Sequence, residues 1–492
     1  MRITTDKYRE TARKEMADAY TQQFLKLLPA RLAERRNIAF ADFKDPAGAR
    51  EEAAAIRARS LENLAGLLES FEEKAAAAGA RVYWAADAHA ANARIAEIAR
   101  ENRVSFVTKG KSMITEETGL NDALEKAGIT VWETDLGEFI TQLLQVPPFH
   151  IVGPAINIPV ERISRLFEEK GVTNSPETDP VRLGMAARRF LRNRFRHLEM
   201  GITGVNMAVA ETGTLINVEN EGNIRLCKSS PRIQVAVMSI EKVVPSMEEA
   251  LHLIRLLCRS CTGQGISAYV SMDTGPAGQE EIDGPEQLHV IVLDNGRSRI
   301  YADPQTRDAL RCIRCGACLN ACPIYGKIGG YPYGWAYSGP MGQVLSPLLL
   351  GLERTRDLFE ACTLCKRCKS VCPVGIDHPR LMLYYRAQNA AGEPLLGGGG
   401  GSAAENALYA AYAHVARHPH MWRLSTGGLR HVLNHYAAGG KISRGPHVLD
   451  GWLGSRDLPE MPRESFHRQW RRLRHGSAPK GKGKNGEGDG ED

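Results

Sequence analysis

The sequence predicts an α/β domain with a mostly parallel sheet, preceded by a helical segment and followed by a cysteine-rich helical module and a helical C-terminal region. Three observations carry this. Short β-branched or apolar runs alternate with helical stretches between residues 81 and 304, as in strands joined by crossover helices. Eight of the eleven cysteines crowd between Cys312 and Cys372, which belongs to metal chemistry and not to a secreted disulfide framework. Composition is ordinary for a globular chain, with 43% hydrophobic and 24% charged residues over 492 positions. That excludes a largely disordered protein and leaves room for about three domains.

Residues 1–80 are expected to be helical, because LENLAGLLESFEEKAAAA spaces apolar residues at helical intervals between charged ones. The α/β domain follows over 81–304. Its expected strands are VYWAA (82–86), VSFVT (104–108), ITVWE (129–133), IVGPAI (151–156), MAVAETGTLINV (207–218), IQVAVMSI (233–240), AYVSM (268–272) and LHVIVLD (288–294). The cysteine module occupies 305–390. A Gly-rich linker spans 391–402, flexible by composition with five glycines at 397–401. Residues 403–475 are helical, opening on ENALYAAYAHVARH and closing on the basic RESFHRQWRRLRH. The tail 476–492 has almost no apolar content and is expected to be disordered.

Charge narrows the partners. Sixty-three Lys and Arg against 57 Asp and Glu leave +6 over the whole chain, too little to indicate nucleic acid or a membrane surface. The N-terminus is charged throughout, unlike a signal peptide. The uncharged runs 139–160 and 328–352 carry too many prolines and glycines to satisfy their backbone inside a bilayer. The expectation is a cytoplasmic protein without a membrane span, its thiols reduced and available to metal.

Cys312, Cys315, Cys318 and Cys322 precede Pro323 in the pattern C-x2-C-x2-C-x3-C-P, and Cys362, Cys365, Cys368, Cys372 and Pro373 repeat it. Three thiolates from one tight loop can hold three iron corners of a cubane, while the fourth faces the second cluster. That rule assigns Cys312, Cys315, Cys318 and Cys372 to one [4Fe-4S] cluster, and Cys362, Cys365, Cys368 and Cys322 to another. Structural zinc, which favours two separated pairs of ligands, fits this spacing poorly. All-cysteine clusters pass single electrons, so the module is a relay.

Other signals are weaker. Cys258 and Cys261 follow an apolar helical run, and they are expected in the core, as is Cys227. Gly481 to Gly486 spells G-x-G-x-x-G with no strand before it or helix after it, so it is not a dinucleotide fingerprint. Lys109-Gly-Lys111-Ser follows a strand and is either an anion site or a solvated turn. Glu211-Thr-Gly-Thr and Glu219-Asn-Glu-Gly-Asn are either ligand-facing strand ends or hairpin turns. No flavin or nicotinamide fingerprint and no catalytic base in a recognisable motif is present.

The strings CIRCGACLNACPIYGKIGG, YGWAYSGPMG, VLSPLL and LCKRCKSVCPVGI, with KGKSMITEETGLNDAL, ETDLGEFITQL, GITGVNMAVAETGTLINVENEGN and LDNGRSRI upstream, closely resemble the lactate utilization protein B family. The resemblance covers roughly residues 10–390 and the SFHRQW stretch; the pentaglycine run and the charged tail depart from it. It implies a LUD domain similar to the ribose-phosphate isomerase and CoA-transferase-like fold, then a double-cubane ferredoxin module. It also implies an electron-transfer subunit acting with a cysteine-rich A-type and a small LUD-domain C-type subunit to oxidise L-lactate to pyruvate, and inactive alone. Lys109, Lys111 and Glu211 are then candidate contacts in a LUD-domain pocket. An electron-transfer subunit of another dehydrogenase, of glycolate or heterodisulfide type, or a redox-sensing scaffold are the alternatives.

Overall fold

The computed structural model describes residues 3–454 and 456–474. The expectation of a disordered tail at 476–492 lies outside the described residues. Two compact units divide at Gly400. In the second, helices Ala403–Arg417 and Pro419–His435 and the short helix Phe466–Arg474 expose most of their side chains. Among the described residues no helix is long and apolar enough to cross a membrane.

The first unit opens with helices Tyr8–Ala17, Ala19–Ala41, Pro46–Glu62 and Leu64–Ala77. Asp18 and Asp45 cap the second and third by accepting backbone N–H bonds from Thr21 and from Ala47 and Gly48, and Pro46 supplies the preset first turn. Ten strands follow: β1 Arg81–Ala85, β2 Phe106–Lys109, β3 Thr130–Glu133, β4 Met200–Gly204, β5 Met207–Val209, β6 Thr214–Glu219, β7 Ile233–Ser239, β8 Val243–Val244, β9 Tyr269–Asp273 and β10 Gln287–Leu293. Six form a wholly parallel sheet in the order β1-β10-β7-β4-β2-β3. The others form a second sheet in the order β8-β5-β6-β9. Every residue of β7 is buried, because Ile95, Ile98, Leu120 and Leu124 pack on one face of the parallel sheet and Leu67, Leu68 and Phe71 on the other. A strand covered on both faces reads as continuous apolar sequence, as IQVAVMS does.

The structure differs from expectation at four places. IVGPAI is not a strand but a series of turns. Pro154 has no N–H to give a ladder, and its carbonyl instead accepts the Phe149 N–H at 2.8 Å. Strand β4 is absent from the expected strands, because two glycines in five residues hide it. Gly201 is required there, since a Cβ would stand 1.8 Å from the Cys227 carbonyl oxygen. The glycine run 397–401 does not hang free as a flexible linker. Leu352 and Glu353 N–H donate to the Leu396 and Gly397 carbonyls at 2.9 Å, and Gly400 N–H donates to Asn389 at 2.9 Å. MAVAETGTLINV folds as the antiparallel hairpin β5–β6, with Gly213 at φ +71° in its turn.

Buried charges join the α/β domain to the cysteine module. Glu117 accepts both Arg297 Nη groups at 2.8 and 2.7 Å, Asn295 at 2.6 Å and the Tyr337 hydroxyl at 2.5 Å. Arg297 Nε pairs with Glu241 at 3.0 Å, and the other Glu241 oxygen pairs with Arg314 at 3.1 Å. Burial opposes ionisation of Glu241, but Arg297, Arg314 and Lys242 outweigh it and hold the carboxyl at about 2. Arg57 adds hydrogen bonds to the carbonyls of Glu241, Val243, Leu310 and Arg311. Glu117→Gln keeps the shape and removes the charge, leaving Arg297 underpaired. Loss of about 3–5 kcal/mol in denaturant unfolding is expected.

Candidate metal centre

Both cysteine motifs fold into the same local structure. The residue two places after the first cysteine is left-handed in each loop, Arg314 at φ 60° and Leu364 at φ 56°. So is the residue after the second cysteine, Gly316 at φ 85° and Lys366 at φ 62°. Left-handed residues alternating with right-handed or extended ones turn successive backbone N–H groups inward, making concavities suited to anions and iron–sulfur clusters. Three of these four residues are not glycine, so each loop holds strain of about 1–2 kcal/mol per non-glycine position. A short helix follows each loop, Ala317–Ala321 and Arg367–Val371, and ends at the fourth cysteine.

The eight thiols divide between two cavities. Cys312, Cys315 and Cys318 line one together with Cys372. Cys362, Cys365 and Cys368 line the other together with Cys322. Each quartet takes three residues from one loop and the fourth from the other. His378, buried, lines both. The first cavity is walled by Ile151, Leu319, Tyr337 and Met341, whereas Cys365 in the second is exposed beside Lys366, Arg367 and Lys369.

These residues fit iron–sulfur clusters better than single ions. A tetrahedral zinc with bonds of about 2.3 Å draws its thiolates to roughly 3.8 Å from one another. Among the described residues no three thiols lie mutually within 4.8 Å, so both sets are spread more widely than one ion requires. Backbone N–H groups of Arg314, Tyr325, Leu364 and Ile376 donate to Cys312, Cys322, Cys362 and Cys372 at 3.4–3.5 Å, the bonds that tune cluster potential. Burial pushes Cys322 up to about 11 and Cys368 up to about 12, and raises Cys315 and Cys318 as well. Their thiolate forms therefore need a bound cation.

Comparison with known proteins agrees. Family models match in series: LUD domain over residues 68–293, 4Fe-4S dicluster domain over 308–376, and lactate utilisation protein B, C-terminal, over 383–475. The lactate utilization protein B of Macrococcus caseolyticus is 38% identical over 97% of this chain and 99% of its own. The chain belongs to the lactate utilization protein B family. The Bacillus pumilus member is 38% identical over 96% of this chain and 98% of its own. An uncharacterized electron transport protein of Escherichia coli, YkgF, is 42% identical over 86% of this chain and 87% of its own. A solved DUF162 family protein from Deinococcus radiodurans aligns at a TM-score of 0.28 and 15% identity, over 47% of this chain and 98% of its own, too low to bear on the fold.

In this family member the three residues expected to share a LUD-domain pocket do not meet. Lys109 is fully buried and paired with Glu116 and Glu133 at 2.9 Å. Burial and the neighbouring carboxylate of Glu133 push Glu138 well up, and Lys109 itself occupies the centre of this acidic cluster. Lys111 faces a separate cavity and donates to the Val152 carbonyl at 2.6 Å. Glu211 is exposed, at 3.5 Å from the Met247 N–H. Cys227, Cys258 and Cys261 are buried as expected. Cys261 also accepts from Asn320 Nδ2 at 3.3 Å, next to the first cysteine loop, a proximity that spacing along the chain does not reveal.

The loops differ at equivalent left-handed positions. A Cβ on Gly316 would press on Ile151 at 3.1 Å and Cys261 Sγ at 3.2 Å, whereas Lys366 is exposed. Lys366→Gly is expected to retain full iron content and to gain up to about 1 kcal/mol in unfolding. Gly316→Val is expected to lose iron from the first quartet, read by iron analysis and visible absorbance.

Proposed function

We propose that the protein is the iron–sulfur electron-transfer subunit of a complex that oxidises L-lactate to pyruvate. The observation that carries this reading is the division of eight cysteines into two interlocked quartets around adjoining cavities. The names of the relatives, lactate utilization protein B and electron transport protein, supply the metabolic context. Each quartet would hold one [4Fe-4S] cluster, with Cys372 closing the first and Cys322 the second. Bound there, the clusters supply single-electron transfer, so the two electrons released with two protons as lactate becomes pyruvate are passed on singly.

The chain's own residues insulate and orient this relay. Tyr325, Tyr333, Leu319 and Met341 are buried around the cysteine loops and keep water from them, and the backbone N–H bonds to sulfur hold the thiolates in place. The inner quartet abuts the α/β domain, whereas Cys365 gives the outer one a route to the surface. The α/β domain would share the ribose-phosphate isomerase and CoA-transferase-like fold. A cysteine-rich A-type and a small LUD-domain C-type subunit would complete the complex, because a 2-hydroxy acid needs a positioned base and a two-electron acceptor.

Anaerobically purified protein is expected to hold about eight iron and eight acid-labile sulfides; stoichiometric zinc without sulfide would overturn the reading. Cys322→Ser should damage mainly the cluster of Cys362, Cys365 and Cys368 in electron paramagnetic resonance spectra. In a dye-linked assay the cluster-loaded chain alone should not turn over lactate, and the three-protein mixture should.

A further inference from the structure

A cavity of about 260 Å³ opens at the carboxyl ends of the parallel strands and reaches the first cysteine loop. Its wall takes Lys111 and Ser112 from the turn after β2, Asn206 from beyond β4, Lys242 from beyond β7, and Arg314 with Cys315 from the loop. Open α/β sheets bind ligands at this edge, in the crevice outside the carboxyl ends of their strands. The volume lies below the ~300 Å³ at which pockets for drug-sized molecules begin, which suits a small metabolite.

Several polar groups here lack partners. Arg314 Nη1 is buried without a hydrogen bond, while Nη2 is committed to Glu241. Ser112 Oγ is also buried and unpaired. It occupies space that Gly204 leaves open, since a Cβ there would stand 2.5 Å from it. Lys242 lines the same cavity, with no hydrogen bond or close ion pair of its ammonium among the described residues. The cavity's carboxylates are engaged elsewhere: Glu219 with the N–H groups of Ile224 and Arg225, Glu221 with that of Leu136, and Asp135 with that of Glu138. Buried donors are rarely left unpaired in native proteins, and Glu241, already shared with Arg297, offsets the repulsion between Arg314 and Lys242 only in part.

We propose that this cavity binds a small organic monocarboxylate, held by its carboxylate between Arg314 and Lys242 with Ser112 as a further donor, against the loop that carries Cys315. A monoanion suits the wall better than phosphate. Arg314 has one free Nη, and Glu241 beside it opposes a second negative charge. The proposal deepens the electron-transfer reading, because it sets a 2-hydroxy or 2-oxo acid beside the inner quartet of this chain. Arg314 and Lys242 would be binding residues, distinct from the pairing of Lys109, Lys111 and Glu211 expected from sequence.

The test is equilibrium binding of L-lactate, pyruvate and inorganic phosphate to the full, cluster-loaded chain. Calorimetry would measure affinity, and electron paramagnetic resonance of the reduced protein would report on the inner cluster. Pyruvate or L-lactate should bind and perturb that signal, with phosphate at least tenfold weaker. Lys242→Met should weaken binding about tenfold or more, as for loss of one charge-assisted hydrogen bond, with iron content unchanged. Ser112→Ala should weaken it less. No binding, equal binding of phosphate, or unchanged affinity in Lys242→Met would overturn the site. Lactate turnover by the three-protein mixture without binding here would overturn the site alone. Binding here without turnover would overturn the lactate-oxidising reading and support the site.

Discussion

The arrangement rests on a constraint of electrostatics: a carboxylate buried away from water stays ionised only when opposite charge meets it at contact distance. Glu117 and Glu241 are buried, and each is met by guanidinium groups. Arg297 comes from the α/β domain and Arg314 from inside the first cysteine motif. The bond between Glu241 and Arg314 therefore fixes the cysteine loop against the end of the sheet. Tyr337 extends the network into the segment between the motifs, and Arg57 extends it into the N-terminal helices. Hydrophobic contacts tolerate small slides, whereas a buried ion pair with hydrogen-bond geometry has one register. The orientation of the inner thiols toward the carboxyl edge of the sheet follows from that pairing.

Much of this was legible in the sequence, for reasons that differ by element. The strands 233–239 and 287–293 were readable because burial on both faces leaves an uninterrupted apolar signature. Grouping of the cysteines was readable because three ligands from one loop impose fixed spacing. The strand 200–204 was not, because Gly201 answers to the Cys227 carbonyl, 26 residues away, and Gly204 to the Ser112 side chain. IVGPAI reads as a strand but is a turn, in which Ile151 and Val152 face the cysteine loop and Ala155 packs against Phe139 and Ile158. Lysines 109 and 111 look alike on paper, yet β2 ends at Lys109 and Lys111 lies in the turn beyond it, where strand alternation no longer fixes direction. One became the counter-ion of an acidic cluster and the other reached a cavity. Arg314 lies within a motif defined by the spacing of its cysteines, and Lys242 belongs to no motif.

Near-duplicate loops have unequal surroundings. At matching left-handed positions one loop has Gly316, hemmed in by Ile151 and Cys261, and the other has Lys366, open to water. The inner loop was shaped by what packs on it. The outer one was free to spend a position on charge, and Lys366, Arg367 and Lys369 give that end a basic face. The difference between the two ends of the module thus lies in the neighbours of the loops, since the loops themselves are alike in backbone.

Interlocking has a consequence for how the protein comes to be made. Because each quartet borrows its last thiol from the opposite loop, neither half of the module is a self-sufficient vessel for metal. Were each cavity to hold one cluster, loading the first would draw both loops together and preorganise the second, which would make the half-filled chain the least favoured species. Under iron scarcity, a population of such chains would sort into loaded and bare molecules instead of sharing the metal evenly.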